Sequence, residues 1–265
     1  MKRRWKGAVA AVMAALMLTI PALGAKVVGD GTTLSAAQAW VEGGTSYMTL
    51  RTYAALSGCS LSWKNGTAYL TKSGLNLEAK PGQLYITVNG RVLYVKGGVR
   101  VVEGKMALPL RVVAQATGAG LSWDPNTSTV KLSTRGAKAP VASYNEENLY
   151  WLSRVISAES RGESLLGQIA VGNVVLNRVK SNQFPNTIKS VVFDTKDGVQ
   201  FEPTSIGTIY DPPTDSAVLA AKMCLEGADV VGGCMYFYAP SLSAGTWIVS
   251  HCTYYMTIGC HRFYW

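Results

Sequence analysis

In Ser157-Ala158-Glu159-Ser160-Arg161-Gly162-Glu163, two carboxylates lie on either side of an Arg-Gly step. Upstream, Leu149, Leu152, Val155 and Ile156 recur at helical spacing, and the next position on that face is Glu159. A carboxyl that continues an apolar stripe is desolvated, and desolvation raises its pKa. That is the protonated state a general acid needs near neutral pH. The alternative is a structural Glu ion-paired with Arg154, Arg161 or Arg178, since ion-pair networks perturb pKa values too. A second reactive cluster is His251-Cys252 with Cys260-His261. It lacks a Cys-x-x-Cys pair, and sequence-adjacent ligands rarely converge on one tetrahedron, so no metal is expected there. Adjacent Cys and His side chains on a strand point apart, which argues against a Cys-His nucleophile pair.

The elements that must hold Glu159 are helices. Asn145 or Ser143 can cap the first, with Glu146 and Glu147 in the turn where negative charge suits the helix dipole. Arg161-Gly162 breaks it. A second helix is predicted from about 164 to 179, with Ile169, Ala170, Val174 and Leu176 inward. A third starts at Thr214 or Asp215, after Pro212-Pro213, and stops at Gly227. Between them runs a polar stretch carrying Val199-Gln200-Phe201-Glu202-Pro203. The tail is rich in aromatic residues.

The first half is built differently. Leu50-Arg51, Ala54, Gly58 and Leu61-Ser62-Trp63 recur as Leu110-Arg111, Ala114, Gly118 and Leu121-Ser122-Trp123, the mark of a duplicated supersecondary unit. Each copy reads as a short helix ended by glycine, then two strands around a turn. Trp63 and Trp123 are expected to pack in a core. Between the copies, Leu84–Val95 alternates around Asn89-Gly90, a hairpin signature.

Composition bounds the rest. Residues 1–25 read as a signal peptide: Lys2, Arg3, Arg4 and Lys6 precede an apolar run from Gly7 to Ile20, with small residues for cleavage after Gly24 or Ala25. An uncleaved membrane anchor is the alternative. The net charge of +9 divides unevenly. Residues 26–144 hold 13 basic and 5 acidic side chains, whereas 145–265 hold 8 and 11. A basic exported module implies an anionic wall polymer, a lipid headgroup surface or a partner protein as its ligand, and export excludes nucleic acid. Export also permits disulfides among Cys224, Cys234, Cys252 and Cys260, with pairing undetermined and reduced thiols as the alternative.

The second repeat, Ala107-Leu108-Pro109-Leu110-Arg111 through Trp123-Asp124 to Leu132, resembles the copper amine oxidase N-terminal-like module. No copper is expected despite that name, because residues 26–144 contain no histidine. Ile156–Glu163, Gly167–Val179, Val199-Gln200-Phe201, Met235–Pro240, Trp247 and Ile258–Phe263 resemble, in order, the SleB-type cell-wall hydrolase family. The chain therefore divides into a signal peptide (1–25), an amine-oxidase-like module (26–134), a linker (135–144) and a hydrolase domain (145–265). The fold class is α+β: a small duplicated α+β module, then the mainly helical, lysozyme-like catalytic domain that the resemblance implies.

The resemblance further implies a peptidoglycan substrate, lytic transglycosylase chemistry without a cofactor, and Glu159 as catalytic acid/base. Glycan grooves want aromatic platforms beside amide and phenol donors. Gln200, Phe201, Tyr236, Tyr238, Trp247 and His261 are the expected substrate contacts, with Glu163 and Arg161 supporting. An ordinary glycosidase needs two carboxylates ~5–9.5 Å apart, whereas a lytic transglycosylase needs one. Cys260 before His261 departs from the family pattern, and the amine-oxidase-like module replaces a peptidoglycan-binding repeat, which puts a spore-cortex role in doubt. The competing readings are a non-catalytic wall-binding protein and a wall amidase or peptidase using the Cys/His cluster.

Overall fold

The computed structural model describes residues 25–196 and 198–265. The signal peptide predicted at 1–25 lies outside them, apart from Ala25. The chain begins with β1 (Lys26–Gly29), β2 (Thr32–Thr33) and β3 (Ala39–Glu42). The first repeat is β4 (Thr45–Thr49), α1 (Leu50–Ser57), β5 (Ser60–Lys64) and β6 (Thr67–Lys72). Then β7 (Leu75–Ala79), β8 (Tyr85–Val88), β9 (Arg91–Tyr94) and β10 (Arg100–Val102) lead to the second. That copy is β11 (Lys105–Pro109), α2 (Leu110–Thr117), β12 (Gly120–Asp124) and β13 (Thr129–Ser133).

Both repeat helices end as their glycines require. Gly58 (φ 68°) and Gly118 (φ 72°) adopt the left-handed conformation and return their N–H to the last turn. Asn89 and Gly90 both have positive φ, the geometry of the tight hairpin joining β8 to β9. The repeats meet at β4 and β11, which pair antiparallel with Met48 opposite Leu108. These are equivalent positions of the two copies, so a local two-fold axis passes between them. The sheets run β10-β11-β4-β3, β5-β6-β7-β8-β9 and β12-β13-β1-β2.

One expectation is corrected here. Trp63 and Trp123 are 54% and 53% exposed, not core. Each sits on a strand at the edge of its sheet, and no residue of β5 or β12 is fully buried. The core is filled instead by Met48, Leu50, Tyr53, Leu70, Leu77, Leu108 and Leu110.

The second half packs three long helices, with three short ones, against a small sheet. Its elements are α3 (Glu146–Ser160), α4 (Leu165–Lys180), α5 (Ile188–Val192), α6 (Pro203–Ile206), α7 (Asp215–Leu225), β14 (Tyr236–Tyr238), α8 (Thr246–His251), β15 (Tyr254–Ile258) and β16 (His261–Tyr264). All three long helices are capped: the side chains of Asn145, Ser164 and Thr214 each accept a backbone N–H of the first turn, with Asn145 rather than Ser143 capping the first. Leu152, Val155 and Ile156 of α3 are fully buried against α4 and α7. Gly172 permits that packing, since a Cβ there would lie 2.7 Å from Cys224 Sγ and 2.8 Å from Ile156 Cδ1.

The aromatic tail forms the antiparallel sheet β14-β16-β15, which alternates by face. Phe237 and Phe263 pair on one face, and Tyr236, Tyr264 and Tyr254 line the other. All five cysteines are unpaired, so no disulfide staples the fold. Residues 135–144 have no regular structure, yet they are strapped to the β-rich half: Ala142 N–H donates to Asn89 O (3.2 Å), and Val92 N–H donates to Tyr144 Oη (3.2 Å). No helix among the described residues is long and apolar enough to cross a membrane.

Candidate active site

Glu159 sits in the penultimate position of α3, partly buried, where the apolar stripe placed it. Burial is the main force that pushes its pKa from 4.5 up to about 7. The negative charge of Glu202 adds to the rise, and the positive charge of Arg178 opposes it. Among the described residues Glu159 makes no ion pair and accepts no hydrogen bond. None of the three arginines that might have neutralised it does so: Arg154 lies over the ring of Tyr150 (3.6 Å), and Arg161 is exposed.

Arg178, the third, organises the surroundings instead. It projects from α4, is 5% exposed, and donates through Nε to Met235 O (2.8 Å) and through a terminal nitrogen to Gln200 Oε1 (3.1 Å). The rings of Phe184, Phe201 and Tyr236 surround its guanidinium at 4.8, 5.2 and 5.4 Å, which offsets the cost of burying a cation. Burial lowers its pKa only to about 10, so it stays charged at neutral pH. Arg178 thus fixes Gln200 and the start of β14 while tempering the charge at Glu159.

Two expected platforms meet at this place. Tyr236 packs edge-on against Trp247 of α8 (5.5 Å), and Trp247 is 55% exposed with its second face stacked on His251. Tyr238 follows on the same face of β14 and leans on Tyr264 (5.8 Å), with Gly245 closing over its ring. Gln200 donates its Nε2 to Gly198 O (3.2 Å). Phe201 is corrected: at 1% exposure it is core, the wall behind Arg178, and offers no surface to a sugar.

Glu163, Arg161 and His261 make no hydrogen bond or ion pair with Glu159. Glu163 accepts the backbone N–H of Cys260 with both oxygens (3.2 and 3.3 Å) and so clasps the β15–β16 turn to the break after α3. Gly259 (φ 56°) makes room for it, because any Cβ there would overlap the carboxylate. The expected substrate contact at His261 is also corrected. It is 7% exposed, edge-on to Phe237 (5.2 Å), and burial lowers its pKa, leaving a neutral ring 3.8 Å from Glu163.

Two residues near the acid were not singled out as functional from sequence. Arg178 reads there only as an ion-pair partner for Glu159, and its three aromatic neighbours from distant segments give it a different role. Glu202 sits at the start of α6 and is the carboxylate that acts on Glu159. Its place in Gln200-Phe201-Glu202 was the available signal. Enclosed space lies elsewhere: a cleft of about 350 Å³ bordered by Tyr53, Lys72 and Lys138 belongs to the β-rich half. A polymer needs an open trough rather than a cavity, so the desolvated acid marks the site better than volume does.

Fold and site together define a two-part α+β chain whose helical half presents one unpaired, desolvated carboxyl beside exposed aromatic rings. Residues 162–264 match the family model described as Cell Wall Hydrolase, and residues 21–132 match the copper amine oxidase N-terminal domain. The hydrolase match begins just after Glu159. The Cell wall hydrolase CwlJ of Oceanobacillus iheyensis is 30% identical over 129 residues, covering 43% of this chain and 90% of that protein. A Spore cortex-lytic enzyme of Bacillus cereus is 34% identical over 114 residues, covering 43% of this chain and 42% of that protein. Among solved structures, the catalytic domain of the germination-specific lytic transglycosylase SleB from Bacillus anthracis is 32% identical, with a TM-score of 0.43, covering 48% of this chain and 100% of that one. The chain belongs to the cell wall hydrolase family. It spans less than half the length of the spore cortex-lytic enzymes it matches.

Proposed function

We propose that this chain is an exported, peptidoglycan-degrading enzyme that cleaves the MurNAc-GlcNAc bond as a lytic transglycosylase. The observation that carries this is Glu159: a carboxyl with no partner among the described residues, held near pKa 7 by burial. Protonated, it donates to the glycosidic oxygen as the bond to C1 of the muramic acid breaks. The resulting carboxylate then takes the proton of the C6 hydroxyl as that oxygen attacks C1. The product is a 1,6-anhydro sugar, the acid is regenerated, and no water is consumed.

One carboxyl suffices for this sequence, and Glu163 supports the reading by being committed to the β15–β16 turn. Tyr236 and Trp247 give the glycan rings a surface to lie on, and Gln200 an amide beside it. The names of the relatives point to spore cortex or wall peptidoglycan as substrate, and residues 1–25 to export. The Cys/His peptidase reading fares worse. The Glu163 carboxylate beside the Cys260 thiol holds the thiol's pKa up, which works against a thiolate nucleophile.

The test is clearance of a peptidoglycan suspension. Glu159→Gln keeps size and removes the proton, so activity is expected to drop by about 100-fold or more, the range for loss of a general acid. Clearance by the variant at the parent rate would end this proposal.

A further inference from the structure

The β-rich half presents an unassigned feature twice. On β5, Leu61 and Trp63 share a face. On β12, Leu121 and Trp123 occupy the equivalent positions. One exposed tryptophan is ordinary. Two at equivalent positions, on edge strands of two different sheets and exposed to nearly the same degree (54% and 53%), are independent occurrences of one surface. The surroundings of Trp63 are basic: Arg51, Leu61, Trp63 and Lys105 border one shallow depression. Leu121 borders another together with Asp30, Lys131 and Arg135, and Lys131 is ion-paired with Asp124 (2.9 Å).

We propose that Trp63 and Trp123 are twin stacking platforms that bind peptidoglycan glycan strands and make this half a bivalent wall anchor. A tryptophan offers a broad, rigid apolar face that suits the face of a pyranose ring. Arg51 and Lys105 beside Trp63 suit the carboxylates of stem peptides. The excess of 13 basic over 5 acidic residues across 26–144 supplies the long-range complement. The two platforms edge different sheets, so each engages a separate strand or segment, and affinity arises from their joint occupancy. The choice of peptidoglycan as occupant rests on the function proposed for the helical half.

The test is co-sedimentation of the full chain, carrying Glu159→Gln to prevent digestion, with insoluble peptidoglycan stripped of covalently attached phosphate polymers. Trp63→Ala and Trp123→Ala are each expected to weaken binding by about 5–10-fold, and the double variant by about 50-fold, as loss of avidity requires. Both positions are exposed, so the unfolding midpoint is expected to hold, and Trp→Phe at both sites is expected to restore most binding. A double Trp→Ala variant that sediments like its parent overturns the proposal. So does binding that disappears on stripping, which would assign the surface to the phosphate polymer. Because this assay reads binding alone, it can fail while Glu159 still proves catalytic, and the reverse.

Discussion

At the scale of residues, Glu159 keeps a raised pKa because burial is not offset by an ion pair or hydrogen bond among the described residues. That arrangement costs stability in a definite pH window. Its folded pKa of about 7 lies above the 4.5 expected when unfolded. Below the lower value both states are protonated and nothing is lost. As pH rises through the interval, the unfolded chain ionises first, so folding weakens, and the full cost is reached above about pH 7. Glu159→Gln is therefore expected to be more stable than the parent at pH 8, by at most about 3 kcal/mol, with the gain vanishing near pH 4. Thermal unfolding across that range checks it, and a gain that grows as pH falls would contradict it. Activity should decline above about pH 7 for the same reason.

The position of Glu159 was legible in the sequence because helical periodicity is a local property, whereas its lack of an ion pair was not, since three arginines stood as candidate partners. Phe201 and His261 were misread because motif membership does not reveal which face of a strand or loop a ring occupies. Arg178 was legible only as an ion-pair partner for Glu159, for a related reason. Its partners come from three separate segments.

At the scale of elements, the helices hold Glu159 and the terminal sheet carries the aromatic rings, with Glu163 joining the two. Gly259 marks that joint, needing both a left-handed backbone and an empty space beside the carboxylate. Gly259→Ala is expected to destabilise the chain by about 1–3 kcal/mol, from backbone strain and a displaced carboxylate. It should also lower the rate without moving the alkaline limb of the pH profile, because the environment of Glu159 is set by α3, α4 and α6. Denaturant unfolding and a pH–rate profile check both parts. A shifted limb would mean that the hairpin tunes the acid directly.

The three long helices were readable from their caps and apolar spacing. The tail was not, since consecutive aromatics carry no single period, and its three strands emerge only once Phe237 and Phe263 have a helix to pack against. The exposed tryptophans show the same limit: a repeat reveals equivalence, whereas sheet order decides exposure.

At the scale of the whole molecule, the two halves carry opposite net charge and meet through one buried ion pair. Arg91 of β9 donates to both oxygens of Glu226 just past α7 (2.9 and 2.6 Å), and its third nitrogen reaches Gln115 O (2.9 Å). Gln115 in turn donates to Glu226 O (2.8 Å), and Val92 packs into the helical core. Removing one partner of such a pair strands a buried charge, at a cost of about 3–5 kcal/mol. Arg91→Met is expected to split the thermal transition into two, and Arg91→Met with Glu226→Gln to recover part of the loss. A single unchanged transition in Arg91→Met would show the halves to be independent. Such a joint would hold the wall anchor in a fixed direction relative to Glu159.

The central claim is that Glu159 alone moves the proton in both steps. It is tested most directly by mass spectrometry of the soluble products from purified peptidoglycan. The parent chain is expected to release fragments ending in 1,6-anhydromuramic acid, and Glu159→Gln to release none. Reducing muramic ends from the parent would contradict the account, placing water in the reaction and making Glu202 the second carboxylate to examine.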